Sequence, residues 1–600
     1  MSRGSSEGES KTLKEENPRL TMDEMATKLK AWLDEQPGDK MNPLLDIAGL
    51  DPSQDTPVEL LHTILLGVIK YIWHHMNTNR WSDSDRHLLA IRLQTTDLSG
   101  LTVPPLRAGY MMQYRKNLIG KHFKTLMQVL TFHVHEMASP DEFSLIKAAG
   151  ELGARLWVPE IDDMDQYLAD LKVAIANLLD AFDAVEPLRI LTKIKLHLLA
   201  HIPDDVRRFG PLIRSSTEIY ESYNTVFRLC SVLSNHLAPS RDISRKFSSM
   251  SRVKHLLSGG YWKDSHSNWI NSGEAVKDAL QTDIVLQRHL GWVSHKQINP
   301  GTITPVALKR KPAFEWAASA AAKQSTLMPP DSVWRAGRSL TTRDGDQVSV
   351  GSWVVAKHEG KMIFGRIQEL LVGKKHLVNL EQFKIGANRH PVFDWPVLRR
   401  PNGTEIVAGA KSFIVLEGSS HDCRQGHCKP AVVGKQRQER QETTQDKSLI
   451  RHTDDDHFIL NMSGLHNFVK ICRTLPHSLT DVRPLHPADR REQFHNRAAE
   501  KVRVARDKSR KKTAAKRRET AAAKRKDAEV AASAAQVAEE SAQRAENAVT
   551  RGEEIPDDTV DSDQPQEDDS ENEEGAEEGD DDAEWVPRGT RSRPYKGRRV

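Results

Sequence analysis

Three side chains near the start of the chain are spaced for chemistry. In "DTPVELLHTILLGVIKYIWHH", residues 55 to 75, Asp55 is followed four places on by Glu59, and Glu59 three places on by His62. On a helix those offsets put all three along one face. Two carboxylates and an imidazole on one stripe could hold a divalent ion, Mg2+ or Mn2+, for phosphoryl chemistry. The same residues also fit a helix start, with Thr56 as N-cap, Pro57 at the first helical position and Glu59 closing a capping box. Asp55 and Glu59 would then only begin a helix whose Leu60, Ile64, Leu65, Val68 and Ile72 face a core.

A second cluster is "HDCRQGHC", which carries His421, Cys423, His427 and Cys428. These are the nitrogen and sulfur ligands that Zn2+ favours. Adjacent His427 and Cys428 can hardly both reach one tetrahedral ion, so a zinc site would use Cys423 and Cys428, completed by His421 or by the more distant His457 or His466. The alternative is a reduced surface loop. His197 and His201 in "KLHLLAH" are four apart, a spacing that packing or hydrogen bonding explains, and no third ligand is assigned to them. Trp353, Trp395, Phe364 and Phe383 could line an aromatic reader pocket, but a small barrel needs such residues for its own core.

The third signal is charge. Arg497 to Lys526 holds fourteen Lys and Arg against three Asp and Glu. Its densest part is Lys508, Arg510, Lys511, Lys512, Lys516, Arg517, Arg518, Lys524, Arg525 and Lys526. A cationic rod of this kind binds DNA non-specifically, with a steep salt dependence. "KSRKK" and "AKRRETAAAKRK" resemble nuclear-import signals, which points to the nucleus. The alternative is a solvated helix pairing in cis with the acidic segment 553–584. No P-loop, Rossmann glycine fingerprint, nucleophile elbow or H-E-x-x-H is present, which argues against nucleotide-driven, hydrolase and metalloprotease chemistry.

The elements that must position these residues are read from periodicity. Residues 1–20 are polar and predict a disordered leader. Residues 21–262 are mostly helical in pattern, and in "YLADLKVAIANLLDAF" Leu168, Leu171, Ile175, Leu178, Leu179 and Phe182 recur on one face. Residues 263–345 mix tryptophans with breakers and predict an irregular connector. In 346–418 the period shortens, and "SWVVAKHEGKMIFGRIQELLVGKKHLVNLEQFKI" predicts a small antiparallel sheet or SH3-like barrel, a module suited to partners such as chromatin proteins. A Cys/His-containing segment, 419–489, precedes a basic Ala-rich helix over 490–550. Residues 551–600 close the chain as an acidic disordered tail with a basic end. The predicted class is therefore α+β, mainly α with a small antiparallel β module.

The whole chain agrees with that division. Its 600 residues are 38% hydrophobic with a mean hydropathy of −0.58, below a compact globular average. A net charge of +3 conceals the basic and acidic blocks near the C-terminus. Four cysteines, Cys230, Cys423, Cys428 and Cys472, make no disulfide framework and suit a reducing compartment. No apolar run reaches membrane-spanning length and no secretory h-region is present, so a soluble intracellular protein with no membrane partner is expected.

Several long phrases are familiar. "NPLLDIAGLDPSQDTPVELLHTILLGVIKYIW", "RAGYMMQYRKNLIGKHFKTLMQ", "KIKLHLLAHIPDDVRRFGPLIRSSTEIYESYNTVFRLCSVLSNHLAPSRDI" and "LSGGYW", with the later "HDCRQGHCKP" and "RQERQETTQDKSLIRHTDDDHFILNMSGLHNF", resemble the transposase-like proteins of fungal Plavaka elements. These are relatives of the CACTA and KDZ transposons, and the resemblance covers most of the chain. It implies a DDE transposase with a split RNase H-like core and a helical insertion at about 83–200, in which three carboxylates hold two metal ions against DNA phosphodiesters. In that superfamily the second acid is an Asp three residues before a His. Glu59 stands at that spacing from His62, with Asp55 one turn earlier, so the pattern is not strictly kept. The third acid follows an aromatic residue at a helix start, which here is Tyr220-Glu221; Ser215 and Glu218 fit a capping box beside it. The first Asp has no counterpart in the 54 residues before Asp55, where no three-strand pattern is read and Asp34 and Asp46 lie in helical or loop contexts. The expectation is an N-terminally truncated, catalytically degenerate, nuclear DNA-associated protein. Its rivals are a transposase completed in trans by another subunit and a chromatin-associated interaction protein without DNA chemistry.

Overall fold

The periodicity of "YLADLKVAIANLLDAF" becomes the helix Met164–Val185, with Leu168, Leu171, Ile175, Leu178 and Phe182 buried and Leu179 partly covered. The computed structural model describes residues 21–35 and 47–551 except 53, 102, 233, 235–236, 293–298, 325–332, 402–404 and 439–440. The expected leader 1–20, Asp46, the acidic segment 553–584 and the basic end lie outside the described residues, and Asp34 falls in the helix Met22–Glu35.

The chain divides into one unit of residues 1–509 and a second of 510–600. In the first, every described element before residue 261 is helical. The helix Pro140–Leu156 starts at a capping box in which the Ser139 hydroxyl accepts from the Glu142 N–H and the Glu142 carboxylate accepts from the Ser139 N–H. A π-helical stretch, Leu61–Ile69, passes into the α-helix Lys70–His75 and a second π stretch, Met76–Arg80. Leu60, Ile64, Leu65, Val68 and Ile72 are buried in one core with Leu171, Leu178 and Phe182, as their spacing predicts.

The start of that helix differs from the expectation. Thr56 is not its cap: its hydroxyl donates to the Pro52 carbonyl at 2.6 Å. Glu59 takes the role, accepting the Leu61 N–H at 2.8 Å and the His62 N–H at 2.7 Å on its carboxylate, while its carbonyl accepts the Thr63 N–H. The Asp205 carboxylate meanwhile accepts the Val58 N–H at 2.9 Å, which ties down the chain just before the first turn. A carboxylate at the helix start also faces the positive end of the macrodipole. The Ser215 and Glu218 capping box does not form either; the helix Glu218–Ser222 has no side-chain cap, and Glu218 pairs with Lys124 at 2.7 Å.

The β part is larger than a 346–418 module. After a separate hairpin of β1 (Tyr261–Lys263) and β2 (Trp269–Asn271), an eleven-stranded antiparallel sheet is built. Its strands are β3 (Ile303–Pro305), β4 (Arg335–Thr341), β5 (Gln347–Val348), β6 (Trp353–His358), β7 (Lys361–Val372), β8 (Leu377–Arg389), β9 (Pro396–Arg399), β10 (Glu405–Gly409), β11 (Phe413–Glu417), β12 (Ser419–His421) and β15 (His457–Leu460). Its main path runs β11-β6-β7-β8-β9-β15-β12. A two-stranded ribbon of β13 (Lys429–Gln438) and β14 (Gln441–Arg451) stands outside it. Residues expected as connector thus supply β3, β4 and β5, and residues expected as a separate Cys/His segment supply β12 and β15. Pairings such as Arg335 with Val372 and Phe458 with Leu398 cause this; they join strands distant in sequence and leave no local period to read.

Helices and sheet share a core. Phe132, Ala154 and Val158 pack with Trp353, Phe364, Phe383, Trp395 and Phe458, and the Trp395 indole donates to Glu151 Oε1 at 2.7 Å. The four aromatic residues weighed as a reader pocket are therefore core. Beyond the sheet, the Asn177 amide donates to the Arg483 carbonyl at 2.8 Å and accepts the Leu485 N–H at 2.7 Å. The helix Ala488–Arg551 follows, and Arg491 near its start holds Asp180 through two 3.1 Å bonds. No helix among the described residues is long and apolar enough to cross a membrane.

Candidate metal centre

Four soft ligands converge where the ribbon leaves the sheet. His421 ends β12, and the chain then turns through Cys423 to Cys428, closed by Gly426 N–H to the Asp422 carbonyl at 3.0 Å and Cys428 N–H to the Cys423 carbonyl at 3.1 Å. Gly426 is required for close approach: a Cβ there would lie 2.7 Å from Thr453 Oγ1 and 3.2 Å from Cys428 Sγ. The ribbon runs out directly after Cys428 and returns directly before His452. The ligand atoms of His421, Cys423, Cys428 and His452 all lie within 4.8 Å of one another.

The spacing within the cluster is informative. Cys423 Sγ is 3.6 Å from His421 Nδ1 and 3.4 Å from His452 Nδ1, and Cys428 Sγ is 3.6 Å from His421 Nδ1. A tetrahedral ion with bonds of about 2.3 Å to sulfur and about 2.0 Å to nitrogen places S and N ligands about 3.5 Å apart. The three S–N separations thus match those around one such ion. Behind them, His421 Nε2 lies 3.3 Å from Asp454 Oδ1, the carboxylate-to-histidine contact that fixes a ligand's tautomer and leaves Nδ1 free for metal. A buried pair braces the turn: His390 Nδ1 accepts the Val392 and Phe393 N–H groups, so Nε2–H donates to Asp422 Oδ2 at 2.9 Å. Burial, reinforced by Cys428, pushes the Cys423 thiol up to about 12. Burial and His421 lower the pKa of His452. A thiol must give up its proton to become a metal ligand, so metal binding by such a set is pH-dependent.

Beside the cluster is a cavity of about 390 Å³ lined by Arg92, Thr95 and His133 from the helical part and by Trp353, Arg366 and Phe458 from the sheet. Arg366 lies 5.5, 5.7 and 5.7 Å from the Trp353, Phe383 and Phe458 ring centres and bonds Glu381 and Asp455. The aromatic group on this wall therefore already holds the chain's own guanidinium.

The other residues singled out in the sequence distribute as follows. His427 has a left-handed backbone, φ 50°, and lies outside the cluster. His457 contacts Asp454 at 3.3 Å and His466 contacts Asp346 at 2.7 Å, so neither is the fourth ligand. The fourth member of the cluster is His452, which sequence reasoning missed because the whole ribbon separates it from Cys428; its mirror position across the ribbon base was the available signal. His197 and His201 touch through Nε2 atoms 3.3 Å apart without a third ligand among the described residues.

Near the helix Leu61–Ile69, His62 stands between two carboxylates, with Nδ1 2.9 Å from Glu59 Oε2 and Nε2 3.3 Å from Glu221 Oε1. Glu59 also accepts the Thr217 N–H at 2.9 Å. Burial raises its pKa, but the backbone bonds from His62, Thr217 and Leu61 outweigh it and the net shift is downward. Asp55 makes its contacts elsewhere, accepting the Asp51 N–H at 2.7 Å and pairing with Arg208. Glu59→Ala removes the acceptor for three N–H groups and is expected to cost about 1–2 kcal/mol, read as a lower unfolding midpoint in urea. Lys508, Arg510, Lys511, Lys512, Arg517 and Arg518 are exposed on the helix Ala488–Arg551. Lys516, Lys524, Arg525 and Lys526 lie on the same helix, with side chains outside the described residues.

A family model described as a domain of unknown function (DUF8590) matches residues 302–480. That span takes in the whole eleven-stranded sheet, the ribbon and the four-ligand cluster. No curated protein and no solved structure matches the chain.

Proposed function

We propose that the chain is a transposon-derived, DNA-associated nuclear protein in which DDE catalysis has decayed, with a structural Zn2+ held by His421, Cys423, Cys428 and His452. The observation that carries the reading is the meeting of Glu59 and His62, neighbours at one helix start, with Glu221 from the distant helix Glu218–Ser222. The resemblance to Plavaka-type transposases offers Asp55 or Glu59 as heir of the second metal-binding acid and Glu221 as heir of the third; such acids must share a site, and of the two candidates it is Glu59 that meets Glu221 through His62. The helices that bear them would then descend from an RNase H-like core.

Decay follows from what now fills the site. A carboxylate offers about four lone-pair positions, and Glu59 accepts from Leu61 N, His62 N, Thr217 N and His62 Nδ1. Glu59 thus has no lone pair to spare, and the His62 imidazole stands between it and Glu221, where an ion bridging the two acids would have to sit. Zinc is favoured over Mg2+ or Mn2+ at the other cluster because two thiolates and two imidazoles select a soft tetrahedral ion. DNA association rests on the exposed cations of the long helix.

The test is twofold. Supercoiled plasmid incubated with the full chain and Mg2+ or Mn2+ is expected to remain intact; nicking that disappears in Glu221→Gln would overturn the decay. Plasmid binding is expected to weaken linearly in log K against log salt. Changing Lys508, Arg510, Lys511 and Lys512 to Gln should make that slope shallower by about 0.9 for each phosphate the chain no longer neutralises. Absence of binding at low salt would overturn the DNA association.

A further inference from the structure

We propose that the β13–β14 ribbon is an arm for duplex DNA, held upright by the metal at its base. The inference rests on the DNA-associated reading above and assigns it a second, structurally defined surface.

The ribbon is unusual for its surroundings. It pairs with no strand of the main sheet, and Lys429, Pro430, Val432, Val433, Gly434, Lys435 and Gln436 along β13 are all exposed. Its ten residues in β13 reach about 30 Å at roughly 3.3 Å per residue. Its anchorage is at the root, where Ile450 is buried and its N–H donates to Thr95 Oγ1 at 2.9 Å. A two-stranded hairpin is at best marginally stable in water; this one rests on the helix Asp83–Thr95, and a clamp at its base would add to that support. Cys428 and His452, the residues immediately before and after it, supply that clamp once an ion joins them to His421 and Cys423.

Charge selects the partner. The span 429–451 carries six Lys and Arg against three Asp and Glu, and of these Lys435 is paired with Asp446 at 2.6 Å within the ribbon. At its root Lys429 and Arg451 are direct cross-strand partners, and like charges placed opposite one another destabilise a ribbon. Arg424, exposed in the turn between the two cysteines, adds a third cation to the same end. A polyanion relieves that repulsion; solvent alone only screens it. The shape agrees, because the major groove of B-DNA admits a two-stranded β-ribbon whereas that of A-form RNA is too deep and narrow for side chains to read. Further out, Gln445 is exposed on β14, while the Gln436 amide donates within the ribbon to the Asp446 carbonyl; Val432 and Val433, 62% and 56% exposed, offer apolar contacts of the kind made to thymine methyl groups.

The experiment uses the full, zinc-loaded chain and two fluorescent probes of random sequence, a DNA duplex and an RNA duplex of equal length. The Lys429→Glu, Arg451→Glu double variant and a Lys435→Gln, Lys447→Gln double variant are measured beside the wild type, with bound zinc quantified in each. The expected result is a loss of DNA affinity of about tenfold or more for the first variant and a salt slope shallower by about 2, with zinc retained and little binding of RNA. The second variant, distant from the metal ligands, is expected to lose affinity in the same sense. If both ribbon variants bind DNA like the wild type while the Lys508, Arg510, Lys511, Lys512 variant does not, the arm is overturned and the DNA reading stands. If the wild type binds no DNA, the DNA reading falls and takes the arm with it. Equal binding of RNA through the same residues overturns the groove assignment.

Discussion

Cys428→Ser is expected to release the zinc proposed for the four-residue cluster and to loosen the chain in one place. The serine hydroxyl is a poor ligand for a soft ion, and an ion left with Cys423, His421 and His452 would be missing a quarter of its shell. Structural zinc binding amounts to about 10–16 kcal/mol in small peptides. Here the neighbouring strands β12 and β15 hold part of the site without metal, so the folding free energy lost is expected to be smaller, on the order of several kcal/mol. The loss should be local: amide exchange in β13 and β14 should accelerate strongly, while the helix Met164–Val185 keeps its protection. Chelation of the wild type should reproduce the pattern. Asp454→Asn, which removes the carboxylate from His421 Nε2 and leaves every ligand in place, is expected to weaken zinc binding by about 10–100-fold. Ribbon protection unchanged by metal removal would show that the four side chains do not act as a metal site.

The second large effect concerns Glu417 at the end of β11. Its side chain is fully buried; one carboxyl oxygen accepts from Ser419 Oγ at 3.0 Å and the other has no hydrogen-bond partner. The helical part closes over it so tightly that a Cβ on Gly100 would collide with its backbone carbonyl. Burial pushes the carboxyl up from 4.5 to about 8. A group whose folded pKa is raised stabilises the fold fully below its unfolded pKa and loses that contribution as pH rises towards the folded value. The window is therefore pH 4.5 to about 8. Glu417→Gln keeps the shape and removes the ionisation, so its stability relative to wild type should climb across that window by a few kcal/mol. Thermal midpoints of the two proteins measured at pH 5 and pH 8 check this; a difference that does not change with pH would mean that the carboxyl finds a partner or water when charged.

Part of this molecule was legible in its sequence because local patterns decide helices. Leu168 to Phe182 and Leu60 to Ile72 face a core as their spacing requires, since 3.6-residue periodicity and burial are the same constraint. The Thr56-Pro57 start signal misled by three residues because the Asp205 carboxylate and the Thr217 backbone compete for the same turn. The sheet was under-read for a similar reason: β3, β12 and β15 are short, and they and β4 acquire their strand character from partners far along the chain. At the metal centre His421, Cys423 and Cys428 could be picked out together because they are neighbours, whereas His452 becomes one only after the ribbon has formed. Asp55 shares a sequence spacing with Glu59 and His62 but is drawn off to Arg208, a contact that no spacing rule contains.

The contacts that join residues 151–177 to residues 395–485 also set a clock. Glu151 needs the Trp395 indole, Arg155 needs the Thr480 carbonyl, and Asn177 needs the backbone of Arg483 and Leu485. During synthesis at about 5–20 residues per second, the helices around Pro140–Leu156 emerge tens of seconds before the strands and the loop that cover them. In that interval their apolar faces can be covered only by one another or by a chaperone, and long-range partners of this kind make for slow folding. A ribosome that stalls, or a message cut, anywhere before the codon for Leu485 would release a chain with its largest core still open. Such fragments are expected to be cleared or to aggregate, so expression of this protein should depend on the integrity of its message well beyond the last strand of the sheet.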